Sequence, residues 1–359
     1  MSNIYQQLRE RIDQYSVGMA ATESGKELKI LQRLFTEEEA RIYLIMTRSL
    51  ESAQTIASRA GINAEHAANI LNQMTEKGLT FPLSRDGVRY YAAAPLMHGF
   101  FEHQVFRKKA DSDLPKLLED YLLDGFVPKT FSLRTVPVKV NIDANLPVLP
   151  YDDVKRIIEG KNKIGLFKCA CSYQVEQVGK GCGRSHEMCI AFDFYAEYVI
   201  EEMKFGRYIT QEEALQILDE AEAMGLVHQT GGDTRNCECI CNCCPECCTI
   251  LRRLKLLPAP GQLKSSNYMV VFDAGQCDQC LTCIDRCPMA AIIEDGGLPI
   301  LKQERCIGCG LCTTTCPTGA KSLRAKPQGD IKPPPETFTF MRSTIDLERE
   351  LAEEISRNK

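Results

Sequence analysis

The sequence predicts an α+β multidomain chain. It has a helical N-terminal domain closed by a β-hairpin, a mixed α/β cysteine-rich central domain, and a small C-terminal domain built on an internal repeat. Three observations carry this. Capped helical segments followed by a hairpin signal fill the first hundred residues. All 19 cysteines lie at or beyond Cys169. Two stretches 29 residues apart share one cysteine spacing. The expected boundaries are a lead-in at 1–25, the helical domain at 26–112, the cysteine-rich domain at 113–258, the repeat domain at 265–327 and a tail at 328–359 that closes as a charged amphipathic helix.

In the first domain, Thr36 and Glu39 form a capping box ahead of a helix over 36–49. A short helix over 51–62 stops near Gly61, and a longer one over 63–79 stops at Gly78. Arg85-Asp86-Gly87 marks the turn of a hairpin. Three helices followed by a β-wing resemble the winged helix-turn-helix fold, giving a winged-helix-like N-terminal domain. That fold implies DNA binding. The candidate recognition helix 63–77, however, carries Lys77 against Glu65 and Glu76, a poor phosphate-binding face. Nucleic acid is therefore not the expected partner.

In the central region, "RTVPVKVNI" (134–142) alternates as a strand does, and "YDDVKRIIEGKNK" reads as a short helix. "IGLFKCACSYQ" is a strand running into Cys169 and Cys171. Residues 191–207 read as a helix. A second helix starts at the capping box Thr210/Glu213 and stops at Gly225, and a third opens from Cys247-Cys248.

Composition limits the function classes. The net charge of −5 gives no global attraction to nucleic acid or an anionic membrane. No apolar run reaches the roughly 18–20 residues of a membrane span. The polar N-terminus has no signal-peptide core, which points to the cytoplasm. In that reducing compartment, 19 cysteines argue for metal or redox chemistry over disulfides.

"CDQCLTCIDRCP" (277–288) and "CIGCGLCTTTCP" (306–317) are both C-x2-C-x2-C-x3-C-P. Each run wraps three thiolates around one cubane and lends its fourth to the other. This closely resembles the bacterial dicluster ferredoxin domain, a C-terminal two-[4Fe-4S] ferredoxin-like domain. The resemblance implies cluster I on Cys277, Cys280, Cys283 and Cys316, and cluster II on Cys306, Cys309, Cys312 and Cys287. Two zinc sites would use C-x2-C pairs as well, but not two complete four-cysteine halves each ending in proline.

Eleven cysteines remain. Cys169, Cys171, Cys182 and Cys189 lie in one glycine-rich stretch, with His186 between the last two. Cys237, Cys239, Cys241, Cys243, Cys244, Cys247 and Cys248 crowd "CECICNCCPECC". The leading reading is that a subset holds a third iron–sulfur or other metal centre, with zinc as runner-up. Cys244-Pro245-Glu246-Cys247 could also serve as a thiol relay, though its flanks lack a thioredoxin-like pattern. His186 reads as an ordinary polar histidine. If 237–243 is extended, its four alternate cysteines face one way, about 7 Å apart, and Cys244 faces the other. Such a row is too straight to wrap a cubane, so only some of its members are expected to bind, together with members of the 169–189 stretch. The radical-SAM spacing of Cys237, Cys241 and Cys244 is a chance match in so dense a run.

Taken whole, the chain resembles a family of cysteine-rich 4Fe-4S dicluster proteins of anaerobic bacteria and archaea. It departs from them at Pro245-Glu246, where others carry a glycine-rich ending. The resemblance implies an anaerobic iron–sulfur electron-transfer protein or oxidoreductase component. Its expected redox partner is a flavoprotein or other oxidoreductase, since no nucleotide or flavin fingerprint is readable. The alternatives are a redox-sensing DNA-binding regulator, or a reductase acting at the central metal centre.

Overall fold

A computed structural model describes residues 3–15, 17–107, 113–124, 133–137, 152–183, 187–232, 237–264 and 266–331. The tail helix expected beyond 328, most of the strand expected at 134–142, and His186 lie outside the described residues. The chain divides into two compact units, one drawn from residues 1–130 with 173–180, the other from 131–172 with 181–337.

In the first unit, helices α1 (Ile4–Ile12), α2 (Lys26–Leu34) and α3 (Glu37–Ile45) precede β1 (Glu51–Ser52). Then come α4 (Ala53–Ala60), α5 (Ala64–Glu76), β2 (Thr80–Arg85), β3 (Val88–Ala93), α6 (Phe101–Phe106) and α7 (Leu114–Leu123). The start signals act as local chemistry requires. Thr36 and Glu39 cap α3 reciprocally, Ser52 caps α4, and Asn63 caps α5. Gly61 and Gly78 stop α4 and α5 in the left-handed region. Asp86-Gly87, both at positive φ, turn β2 into β3, and β1 adds to make a three-stranded sheet of order β1-β3-β2. The expected lead-in is part of the core: Leu8 and Ile12 of α1 are fully buried. Tyr43 seals the centre, donating to the Ala94 carbonyl and meeting Phe35 edge-on at 5.4 Å.

The second unit holds β4 (Leu133–Thr135), α8 (Val154–Glu159), β5 (Ile164–Phe167), the start of α9 (Ala170–Gln177), β6 (Cys189–Phe192), α10 (Asp193–Glu197), β7 (Arg207–Tyr208), α11 (Gln211–Ala223), β8 (Val227–Gly232) and β9 (Cys237–Cys243). The strands form one antiparallel sheet of order β4-β8-β9-β6-β5-β7. Its apolar face carries Ile164, Leu166, Ile190, Phe192 and Ile240, packed against Ile158 of α8 and Ile217 and Leu218 of α11. The helix expected over 191–207 is corrected. Ala191 and Phe192 pair with Gly165 and Ile164 of β5, and the helix begins only at Asp193, whose φ is 49°.

The repeat domain follows α12 (Thr249–Leu256) and α13 (Pro260–Leu263). It comprises β10 (Tyr268–Phe272), α14 (Thr282–Asp285), β11 (Ile292–Asp295), β12 (Leu298–Leu301), α15 (Leu311–Thr314) and β13 (Lys321–Ala325). Its first and last strands, β10 and β13, pair antiparallel, and β11-β12 form a hairpin between the two halves. Arg305 fastens this domain to the end of α12 by donating to the carbonyls of Lys255, Leu257 and Pro258, and bonds within the domain to the Met289 carbonyl. Glu222, just inside the end of α11, accepts from His228 Nε2 at 3.1 Å and from Thr314 of α15.

Candidate metal centres

The two cysteine runs fold into loops with matching backbones. Gln279 and Leu281 in the first sit at φ 61° and 59°, and Gly308 and Gly310, their counterparts 29 residues on, at 66° and 78°. Glycine has a second reason at 308. A Cβ there would stand 2.3 Å from the Tyr268 carbonyl oxygen. The loop therefore lies flat against β10.

Cys287, Cys306, Cys309 and Cys312 line one cavity, and every other residue lining it is apolar, among them Val270, Ile292 and Leu301. Burial first, then the neighbouring cysteines, pushes the thiols of Cys309 and Cys312 up. Four thiols in an apolar hollow ionise only when a cation takes the proton's place, so the donor set suits a [4Fe-4S] group. Backbone N–H groups already point at sulfur: Ala291 donates to Cys287 at 3.2 Å, and Gln279 to Cys277 at 3.4 Å. In the first loop, Cys283 is buried with Cys280 and Cys277 beside it, and Cys280 is exposed. Cys316 sits at the turn after α15, its sulfur 3.7 Å from Thr318 Oγ1.

The eleven other cysteines fall into a ring, a trio and a remainder. Sulfur contacts run from Cys169 to Cys189, Cys241, Cys243, Cys248 and Cys171, and back to Cys169. Cys239 touches Cys241 from outside the circuit. The alternation of β9 explains this. Cys239, Cys241 and Cys243 lie on the face opposite Ile240 and Asn242, while Cys189 enters from the end of the neighbouring strand β6. In Cys169, Cys189, Cys243 and Cys248, the adjacent cysteine first, and burial with it, pushes the thiol well up. Cys171 goes down, because Cys169, Cys248 and the Thr249 hydroxyl, 3.5 Å away, stabilise its thiolate. Lys264 is buried nearby, donating to Gln229 Oε1 and the Leu133 carbonyl. Burial draws its ammonium down to about 8, against the thiols of Cys248, Cys243 and Cys241, which hold it up.

Two expectations are corrected here. Cys237 leaves the row: a register shift at Gly231/Gly232 turns it onto the helix-covered face, against the core of Ile240, where burial pushes its thiol up to about 12. Cys182 leaves the company of Cys169, Cys171 and Cys189. It joins Cys244 and Cys247, with all three sulfurs within 4.8 Å of one another. Lys264, Gln229 and Thr249 had no signal in the sequence. Lys264 in particular reads as a solvated linker residue.

Ring and repeat domain share packing. Cys243 and Cys248 belong to the same apolar cluster as Ile250, Leu251, Leu254, Met289, Ile307 and Leu311, and Cys241, Cys287, Cys306 and Cys309 pack against it.

The C-terminal module defines the class: residues 276–321 match the 4Fe-4S dicluster domain family, and the chain carries a ferredoxin-type iron–sulfur domain. Several relatives are named as ferredoxins or electron-transport components. An uncharacterized ferredoxin of Methanocaldococcus jannaschii is 33% identical over 79 residues, 21% of this chain and 50% of the relative. The electron transport protein HydN of Escherichia coli is 35% identical over 80 residues, 22% of this chain and 45% of the relative. Hydrogenase-4 component A of Escherichia coli is 30% identical over 84 residues, 23% of this chain and 41% of the relative. The matches thus span half or less of each relative's length. No solved structure matches the chain.

Proposed function

We propose that this chain is an electron-transfer protein of anaerobic redox metabolism, working in the cytoplasm with a separate oxidoreductase partner such as a flavoprotein. Cys277, Cys280, Cys283 and Cys316 would hold one [4Fe-4S] cluster, and Cys287, Cys306, Cys309 and Cys312 the other. The ring of Cys169, Cys171, Cys189, Cys241, Cys243 and Cys248 would hold a third metal–sulfur centre. Bound clusters supply one-electron transfer; the protein's part is to seat them, exclude water and place them close together. The observation that carries the reading is the shared apolar cluster, on which ring cysteines and the Cys287/Cys306/Cys309 set both pack. Cys280, exposed in the first loop, marks the side where a partner would meet the module. Relatives named as electron transport and hydrogenase components agree with such a role.

The first unit fits a winged-helix-like domain, with the β2-β3 hairpin after α5 joined by β1 into a three-stranded sheet. We assign it to protein contact. The exposed residues of α5 include Glu65, His66, Asn69, Gln73 and Glu76, two carboxylates and no lysine or arginine, the wrong charge for a DNA groove. No helix among the described residues is long and apolar enough to cross a membrane.

The test is anaerobic quantification of iron, sulfide and zinc per chain, with EPR of the reduced protein. Two four-iron clusters account for about eight irons. About twelve or more supports a third iron–sulfur centre. About eight, whatever the zinc content, overturns it.

A further inference from the structure

We propose that Cys182, Cys244 and Cys247 form a second metal site in the cysteine-rich domain, distinct from the ring, for one tetrahedrally held ion of the zinc or ferrous type. It deepens the metal-centre reading above, but depends on different residues.

Sulfur spacing separates the two sets by the ion they suit. A tetrahedral ion with metal–sulfur bonds near 2.3 Å sets its thiolates about 3.8 Å apart. Cys182 and Cys244 stand 4.0 Å apart, and all three sulfurs fit within 4.8 Å. A single ion therefore needs only a small contraction. The ring, with six members in a closed circuit, has more donors than one ion can take.

The backbone explains why neighbours in sequence part company. Cys243 belongs to β9 and faces Cys241 and Cys248. One step on, outside the strand, Cys244 faces Cys247 and Cys182 instead. Cys244-Pro245-Glu246-Cys247 forms a turn closed by the Cys248 N–H donating to the Cys244 carbonyl at 3.1 Å. Such a C-x2-C turn delivers two thiolates to one ion, as in structural zinc sites. The third comes from the loop flanked by Gly179 and Gly183, both at positive φ, which lets the chain double back. Cys244 and Cys247 are buried, and Cys182 lies half-buried in an otherwise exposed loop. An ion held there can be reached from solvent on the Cys182 side, and among the described residues no fourth His, Cys, Asp or Glu joins the three.

The experiment uses full-length, anaerobically prepared protein. Metal and sulfide are counted in the wild type, in Cys182→Ala and in Cys247→Ser. The expected result is loss of one metal ion per chain in each variant, with sulfide unchanged. Co2+ added to chelator-treated wild type should give thiolate-to-cobalt charge-transfer and tetrahedral ligand-field bands that saturate at one equivalent and are missing from Cys182→Ala. Unchanged metal content in both variants overturns the proposal, as does loss of several irons together with sulfide, which would make the trio part of a cluster. If a variant does not fold, the cobalt titration of the wild type decides: absence of tetrahedral thiolate bands overturns the site. The ring is read separately, by Cys189→Ser, whose effect is on iron and sulfide together. Either site can therefore fail without the other.

Discussion

Gly308→Ala tests how tightly the second cysteine loop is built. Two costs apply. An alanine at φ 66° sits in the left-handed region, about 1–2 kcal/mol above its preferred backbone. Its Cβ would also stand 2.3 Å from the Tyr268 carbonyl oxygen and 2.6 Å from Ser266 Oγ. Ordinary contact begins near 3.4 Å, so β10 and the loop must part by about 1 Å. The obstacle is backbone held in the β10-β13 pairing, which cannot rotate away as a side chain could. Gln279, at the matching place in the first run, shows that the backbone cost alone is bearable. Gly319 is the control within the same module: its φ is +70°, but nothing lies within 4 Å of its would-be Cβ. Gly319→Ala should cost only the ~1–2 kcal/mol of backbone strain and keep its metal. Gly308→Ala should displace Cys309 and lose one cluster, about four irons per chain, in anaerobic iron and sulfide analysis. A Gly308→Ala protein with the full iron complement would refute the close-approach reasoning.

Further consequences can be checked the same way. At Glu222, burial raises the carboxyl pKa, but the bonds from His228 and Thr314 and the nearby charges of His228 and Arg286 outweigh it and hold it below the usual range. A depressed folded-state value stabilises above the unfolded value of about 4.3 and is lost as pH falls through the folded one. Glu222→Gln should therefore destabilise by about 2 kcal/mol at neutral pH, and anaerobic melts should show the gap closing in acid. Lys264→Met removes a buried cation beside Cys241, Cys243 and Cys248. A unit charge at side-chain range in an effective dielectric near 20 is worth about 2–3 kcal/mol. That corresponds to ~100 mV for one electron, so a redox titration followed by EPR should find the central centre that much harder to reduce. Cys237→Ser should leave metal content unchanged, since this thiol packs against the helix-covered core and keeps its bond to the Cys239 carbonyl as a hydroxyl.

What could be read from the sequence was what local spacing decides. The capping residues Thr36 and Thr210, the Asp86-Gly87 turn and the two C-x2-C-x2-C-x3-C runs each act over a few residues, so the chain announces them directly. Partnerships among the other cysteines depend on which strands pair. The alternation of β9 was visible in "CECICNC", but the register shift that removes Cys237, with Glu238 of β9 left over between the partners of Gly231 and Gly232, shows only in the pairing with β8, and the placing of Cys189 comes from β6. Cys182 changes sides because of where a loop returns. Ala191 and Phe192 carry no local mark of a strand ahead of a helical run, and pairing with β5 overrides the helical pattern there.

The central claim is that a third iron–sulfur centre sits on the ring beside the ferredoxin-type module. Its most direct test is iron and sulfide per chain in wild type and Cys189→Ser, prepared anaerobically side by side. Cys189 touches Cys169 and Cys241 in the ring and lies on no part of the module's cysteine runs. The account predicts about twelve or more irons in the wild type and about eight in the variant, with the EPR signature of the reduced cluster pair retained. About eight irons in both proteins would contradict it.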